Sequence, residues 1–119
     1  MLYMVSKAIK LIKIIKSSND KKKYEAHFLT DNDKIKIVRF GQANARDFTL
    51  INNKSNPFYL PDMKDRNKVK SSYYKRHYKR ENKLWNSSPM SPAALSKLIL
   101  WNKPTFKESL KYFKNKFNL

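Results

Sequence analysis

The chain has 119 residues, the length of one modest domain and too little for two substantial cores. Its 27 Lys and Arg stand against 9 Asp and Glu, and the formal charge of +18 points to a polyanionic partner: nucleic acid first, an anionic membrane surface second, an acidic protein surface third. The absence of cysteine excludes disulfides, thiolate nucleophiles and cysteine-ligated zinc and suits a reducing compartment, while a single glycine excludes the glycine-rich phosphate-loop patterns.

The opening stretch MLYMVSKAIKLIKIIKSS interrupts its apolar residues with Lys7, Lys10, Lys13 and Lys16, so it reads as neither a signal-peptide block nor a transmembrane segment. Two readings stand for it. One is a strand over 9–16; the other is a basic amphipathic helix over 2–16 lying on a membrane surface, because lysines at every third position cover one side of a helical wheel. Residues 23–30 and 34–41 are rich in β-branched and aromatic residues and flank the turn sequence DND, which predicts a three-stranded antiparallel meander. In it Tyr24, Ala26 and Phe28 share one face against Glu25, His27 and Leu29, and Ile35 and Ile37 alternate with Lys36. Gly41 closes the third strand at a bend whose backbone conformation other residues resist. Residues 42–64, with Asn, Ser and two prolines, form an ordered crossing loop pinned by Phe48, Phe58 and Tyr59.

The helical region spans 65–117. On its first helix Val69, Tyr73, His77 and Leu84 make an apolar line flanked by Tyr74, Tyr78 and Trp85, and Lys68, Lys75, Arg76, Lys79 and Lys83 fall mostly on the opposite, solvent-facing side. Ser91 and Pro92 are an N-cap and first helical residue for PAALSKLILW, which ends before Pro104. Thr105 and Glu108 form a capping box, after which Phe106, Leu110, Phe113 and Phe117 repeat along one face of a final helix. The whole is predicted as one α+β domain: a short N-terminal β-meander with about three helices packed on it.

The phrases RFG, RHYKREN, SPAALSKLILWNKPT and KESLKYFKNKF, spread over residues 10–119, resemble a small basic protein family of nucleocytoplasmic large DNA viruses of the phycodnavirus and mimivirus kind. The resemblance rests on Phe40, Gly41, Arg76, His77, Glu81, Trp85, Leu100, Trp101 and Lys103 to Thr105. It implies a viral source and a location in the host cytoplasm, the viral factory or the virion, and it implies no activity. Two departures are visible: residues 42–64 look longer than usual, and Leu95 and Lys97 stand where the family often has an aromatic and an Arg.

Candidate chemistry is sparse. His27 and His77 are the only histidines, and a zinc site built on either needs carboxylates gathered by folding. Asp31 and Asp33 lack the later ligands of a calcium loop and read as a turn. Trp85 and Trp101 either close the core or stack on bases, and the helical stripes they end favour the core. His77 with Glu81 one turn on has the spacing of a base and its orienting carboxylate, yet it sits on an apolar stripe with no nucleophile or oxyanion loop nearby. No metal, cofactor or catalytic residue is therefore expected.

What remains is basic surface. Residues 64–83 hold nine Lys or Arg against two acids, a local formal charge of +7. The terminal helix adds Lys107, Lys111, Lys114 and Lys116. Because 22 of the 27 basic residues are Lys, an excess AT-rich coding also produces, phosphate attraction is expected over reading of bases. The reading is a non-enzymatic protein that binds DNA or RNA through Lys68, Lys75, Arg76, Lys79, Lys83, Lys107, Lys111 and Lys114. Its alternative is a minor capsid or internal cement protein whose basic face meets acidic viral coat proteins.

Overall fold

A computed structural model describes residues 9–119. Three antiparallel strands, β1 (Lys10–Lys16), β2 (Lys22–Leu29) and β3 (Ile35–Gln42), form one sheet in the order β1-β2-β3. Helix α1 (Phe48–Ile51) interrupts the crossing segment, and the long α2 (Met63–Ser87) follows. Helix α3 (Pro92–Leu95) continues into a π-helical turn, Ser96–Leu100, and α4 (Phe106–Phe117) ends the described chain. The α+β class and the meander agree with the sequence.

The strand reading of residues 10–16 holds, and the remainder of the alternative surface helix, residues 2–8, lies outside the described residues. The period of three in this stretch has a structural cause. Leu11 pairs with Phe28 and Lys13 with His27, so Ile12 is an extra residue in a β-bulge. The bulge places Leu11 and Ile14, three apart, both against the core, and leaves Ile12 and Ile15 exposed.

Register between β2 and β3 sets Tyr24 opposite Phe40 and Ala26 opposite Val38, and these residues with Phe28 form the inner face. The isoleucines of β3 lie on the other side: Ile35 and Ile37 are exposed, because the inward parity belongs to Val38 and Phe40. The Asp-Asn-Asp turn is as read, with Asp33 in the left-handed region at φ 57° and the Thr30 N–H donating to Lys34 O at 2.8 Å.

Gly41 has φ 80°, and a Cβ built there would stand 2.8 Å from Leu100 Cδ1. The single glycine thus answers both to backbone conformation and to the close approach of the π-helical turn. The crossing segment is ordered, but not by all three rings. Phe48 is buried, whereas Phe58 is 39% exposed. The anchoring comes instead from Arg66, which donates to Leu60 O, Pro61 O and Asn52 Oδ1 and covers the Tyr59 ring at 5.5 Å.

Caps fix the helix starts: Asp62 for α2, Ser91 for α3 and Thr105 for α4 each accept a backbone N–H of the first turn. Thr105 Oγ1 also donates to Glu108 Oε1 at 2.8 Å, so the box closes through the two side chains. One hydrophobic cluster joins the sheet's inner face to Phe48, Ile51, Tyr73, Leu95, Leu98 to Trp101 and Phe113. Among the described residues, no helix is long and apolar enough to cross a membrane.

Candidate nucleic-acid interface

Helix α2 runs for 25 residues, about 37 Å at 1.5 Å per residue. Lys68, Lys75, Lys79 and Lys83 lie within about 80° of one another on its wheel at roughly 100° per residue, and all are exposed, as is Arg76 at the margin of that stripe. None of these five is ion-paired to a carboxylate among the described residues.

The opposite face is aromatic. Trp101, Tyr73 and His77 form a three-ring stack, with centroids 4.5 Å apart at 10° and 4.2 Å apart at 26°. Trp85 is buried beside Tyr74 and Tyr78, and the Lys97 ammonium sits 4.7 Å from its centroid. Both tryptophans therefore belong to the packed interior. Two members of the expected apolar face do not: Tyr78 is 60% and Leu84 38% exposed, although Trp85 near the same end of α2 is buried. Val69, Tyr74 and His77 are half-buried.

A cleft of about 280 Å³ opens where the inner edge of α2 meets the sheet and the π-helical turn. Lys22 and Lys23 at the start of β2, Arg46 after β3, and Arg76, His77 and Glu81 of α2 line it, with Tyr73 and Trp101 beneath. Its geometry is held from several sides. Asp47 is buried, pairs with Lys23, and caps α1 by accepting the Thr49 and Leu50 N–H groups at 2.9 and 3.2 Å. His77 Nδ1 lies 2.9 Å from Glu81 Oε2, while Glu81 Oε1 is buried without a partner. Burial above all, then the neighbouring Glu81 carboxylate, pushes the Tyr73 phenol well above its usual range.

Two larger depressions share lining residues with the cleft. One, of about 440 Å³, shares Ala45, Arg46, Arg76 and Trp101 with it and adds Lys68. The other, of about 540 Å³ along the β1–β2 turn, shares Lys22 and Lys23 and adds Lys16. Together they make a furrow bordered by Lys16, Lys22, Lys23, Arg46, Arg76 and Lys68. Three carboxylates also border it: Asp47 is engaged by Lys23 and the α1 cap, Glu81 by His77, and Asp20 stands exposed in the turn.

Of the eight residues singled out from the sequence, Arg76 and Lys68 border this furrow. Lys75, Lys79 and Lys83 form the adjoining outer stripe of α2. Lys107, Lys111 and Lys114 are exposed on α4, around a separate depression with Leu110 and Leu119. Lys22, Lys23 and Arg46 were not singled out; the buried cap Asp47 directly after Arg46 is the local signal that this stretch is built rather than loose.

A further basic group lies on the other side of α2. Lys70 donates to Asn102 O at 2.6 Å, and its ammonium and that of Lys97 stand 5.7 and 4.7 Å from the Tyr74 centroid. Burial, reinforced by Lys103 and Lys97 around Lys70 and by Lys116 beside Lys97, pulls both ammonium groups below the usual lysine range. The Tyr74 hydroxyl, which donates to Trp101 O at 2.7 Å, is pushed up to about 12 by burial and then by Tyr112.

Among the described residues, no three His, Asp or Glu side chains converge as metal ligands; His27 is held by Glu25 at 3.2 Å on the outer face of the sheet. Comparison with protein-family models, curated proteins and solved structures finds no match to this chain.

Proposed function

We propose that the protein binds nucleic acid through its phosphates, along the furrow and the outer stripe of α2, with little dependence on base sequence and no chemistry of its own. The observation that carries this reading is continuity. Six cationic side chains from β1, β2, the segment after β3 and α2 border one furrow, and the stripe of Lys75, Lys79 and Lys83 runs beside it. A flexible polyanion can follow such a path, and lysine, a point charge on a mobile stem, suits phosphate attraction better than base readout. The buried tryptophans support backbone contact over base stacking.

The test is a titration of single strands and duplexes of arbitrary sequence across salt. Log affinity should fall linearly with log salt, by about 0.7 per phosphate contact for single strands and about 0.9 for duplex. Binding that ignores salt, or none at low salt, overturns the reading.

A second reading is a structural role in a virus particle, against acidic coat subunits. The exposed Ile12, Ile15, Ile35 and Ile37 of the sheet favour it, since such an apolar surface suits a protein contact. The viral source in both readings rests on the sequence resemblance. Salt-resistant binding to a coat protein would select the second.

A further inference from the structure

The outer face of the sheet carries an apolar patch that neither the furrow nor the stripe uses. Because Tyr24, Ala26 and Phe28 point to the helices, the register turns Ile15, Ile35 and Ile37 to the other side, and the bulge adds Ile12. These four isoleucines are 40% to 52% exposed, on the order of 300 Å² of apolar surface, the size at which the largest patch of a monomer is often functional. Charge is arranged around them. Lys10 lies in the row of Ile35 and Lys13 in that of Ile37; both are exposed, and neither is ion-paired among the described residues. The carboxylate of this face, Glu25, is buried and engaged, with Arg39 Nε donating to Oε2 and His27 Nε2 lying 3.2 Å from Oε1. The face is thus apolar, with its one acid neutralised and its free charge cationic.

We infer that this face lies on an anionic lipid surface, with the isoleucines entering the headgroup boundary while Lys10 and Lys13 meet the lipid anions. Three features select that occupant. Interfacial binding combines apolar burial with attraction of lysines to anionic lipids, and here the two stand in the same rows, backed by a formal charge of +18 over the chain. None of the four depressions described above is lined by an isoleucine, so the patch is no groove for a peptide and fits a planar partner. A second copy fits poorly, because three such strands present roughly 350 Å², under half of the about 800 Å² per partner of a stable interface, and would set cations against cations. The helices occupy the opposite face of the sheet, so lipid and the polyanion proposed for the furrow meet different sides of the molecule, and neither reading depends on the other.

The experiment is flotation of the full chain with vesicles of phosphatidylcholine containing about one third phosphatidylserine, against vesicles of phosphatidylcholine alone. The protein should float with the acidic vesicles only. Ile35→Ser with Ile37→Ser should weaken that association by about tenfold or more, and should melt like the parent because both side chains are exposed. Replacing Lys75, Lys79 and Lys83 by Gln should weaken it far less, since those lysines stand on α2 and act on the lipid only through screened solvent. Orientation is read separately with a dye on a single introduced cysteine, which the cysteine-free chain permits. On Lys13→Cys the dye should be shielded from acrylamide once acidic vesicles are added; on Lys79→Cys it should stay open. Undiminished flotation of the isoleucine variant, or a dye at position 13 that stays open, means that charge alone holds the chain to the vesicle and overturns the inference. No flotation with acidic vesicles overturns it too, and leaves the isoleucines to the protein contact of the second reading.

Discussion

The outer stripe of α2 carries cations alone, whereas the cleft at its inner edge sets its cations beside the carboxylates of Asp47 and Glu81. On the stripe, Lys75, Lys79 and Lys83 stand in solvent with no ion pair among the described residues. In the cleft, Lys23 is fixed by Asp47, His77 by Glu81, and both walls rest on the stack of Tyr73 and Trp101. The comparison teaches that similar side chains meet different settings: the stripe lysines supply long-range attraction that salt screens, whereas the exposed Lys22, Arg46 and Arg76 stand around a wall fixed by the Lys23–Asp47 and His77–Glu81 pairs. Substitutions on the two sides should therefore fail in different ways.

The largest effect belongs to the frame. Tyr73→Ala removes the middle ring of the stack and the cleft floor, and it should cost about 3–5 kcal/mol in a denaturant titration, a large share of a small domain's stability. Trp85→Ala should cost a similar amount. If instead the Trp85 variant melts normally but loses single-strand binding, the ring contacts bases and its placement in the interior is wrong. Gly41→Ala should cost about 1–3 kcal/mol, because φ 80° and the approach of Leu100 both oppose a side chain there.

Next come the charges themselves. Replacing Lys75, Lys79 and Lys83 together by Gln should leave the melting temperature nearly unchanged or raise it, since these exposed like charges repel one another. The same variant should reduce the salt slope by about 2 to 3 if each lysine meets one phosphate. Arg46→Gln with Arg76→Gln should reduce the slope by about 1 to 2. Identical behaviour of the two variants in every measurement would remove the distinction between stripe and cleft.

Much of this frame was legible in the sequence, for reasons that can be named. Alternation in β2, the Asp-Asn-Asp turn, the Ser91-Pro92 start and the Thr105 cap are local signals, and the structure uses each of them locally. Helix α1 was missed because four residues hold no full period, leaving only the Asp47 cap to announce it. The π-helical turn was missed because an apolar run reads the same in either helix; here the wider turn leaves Leu98, Ile99 and Leu100, three in succession, all buried. The lysine stripe was legible from helical period alone. The cleft was not, since Lys22, Arg46 and Arg76 stand tens of residues apart and meet only when the sheet packs beside α2. Tyr78 and Leu84 are exposed although Trp85 beside them is buried, because the helical period gives a face and not how wide a strip of it is covered.

The lysines on the other side of α2 provide a pH test that neither stripe nor cleft shares. Lys70 and Lys97 have folded values below the unfolded 10.5, so the unfolded chain holds more protons and stability rises as pH approaches that value. Tyr74, raised to about 12 from 10.0, has the opposite sign: its contribution is complete below pH 10 and is lost as pH climbs through 12. The lysines should therefore add stability only as pH climbs through their depressed values toward 10.5, and the Tyr74 contribution should be lost between about pH 10 and 12. Lys97→Met should flatten the rise, while the outer Gln variants should leave its shape unchanged. A Lys97→Met variant whose melting curve follows the parent's through that window would contradict the burial of this ammonium group.

The smallest effect is expected at His77, where the two sides of α2 meet. His77→Gln loses a stacked ring on Tyr73 and retains a donor for Glu81, so it should cost only about 1 kcal/mol. Its binding should keep the parent's salt dependence, because the phosphate contacts lie on Lys and Arg. If His77 acted instead as a general base, with Glu81 orienting it, the variant would abolish a turnover governed by a group titrating near neutrality, and Glu81→Gln would weaken the same turnover. The decisive assay incubates the protein with labelled RNA and DNA, with and without magnesium, from pH 5 to 9. We expect unaltered strands throughout: the cleft places a histidine beside a carboxylate, and Ser96 also lines it, but among the described residues no serine or threonine hydroxyl is hydrogen-bonded to either member of the pair. Strand cleavage that disappears with His77→Gln would make the cleft an active site and turn the same four cations into stabilisers of a phosphoryl transition state.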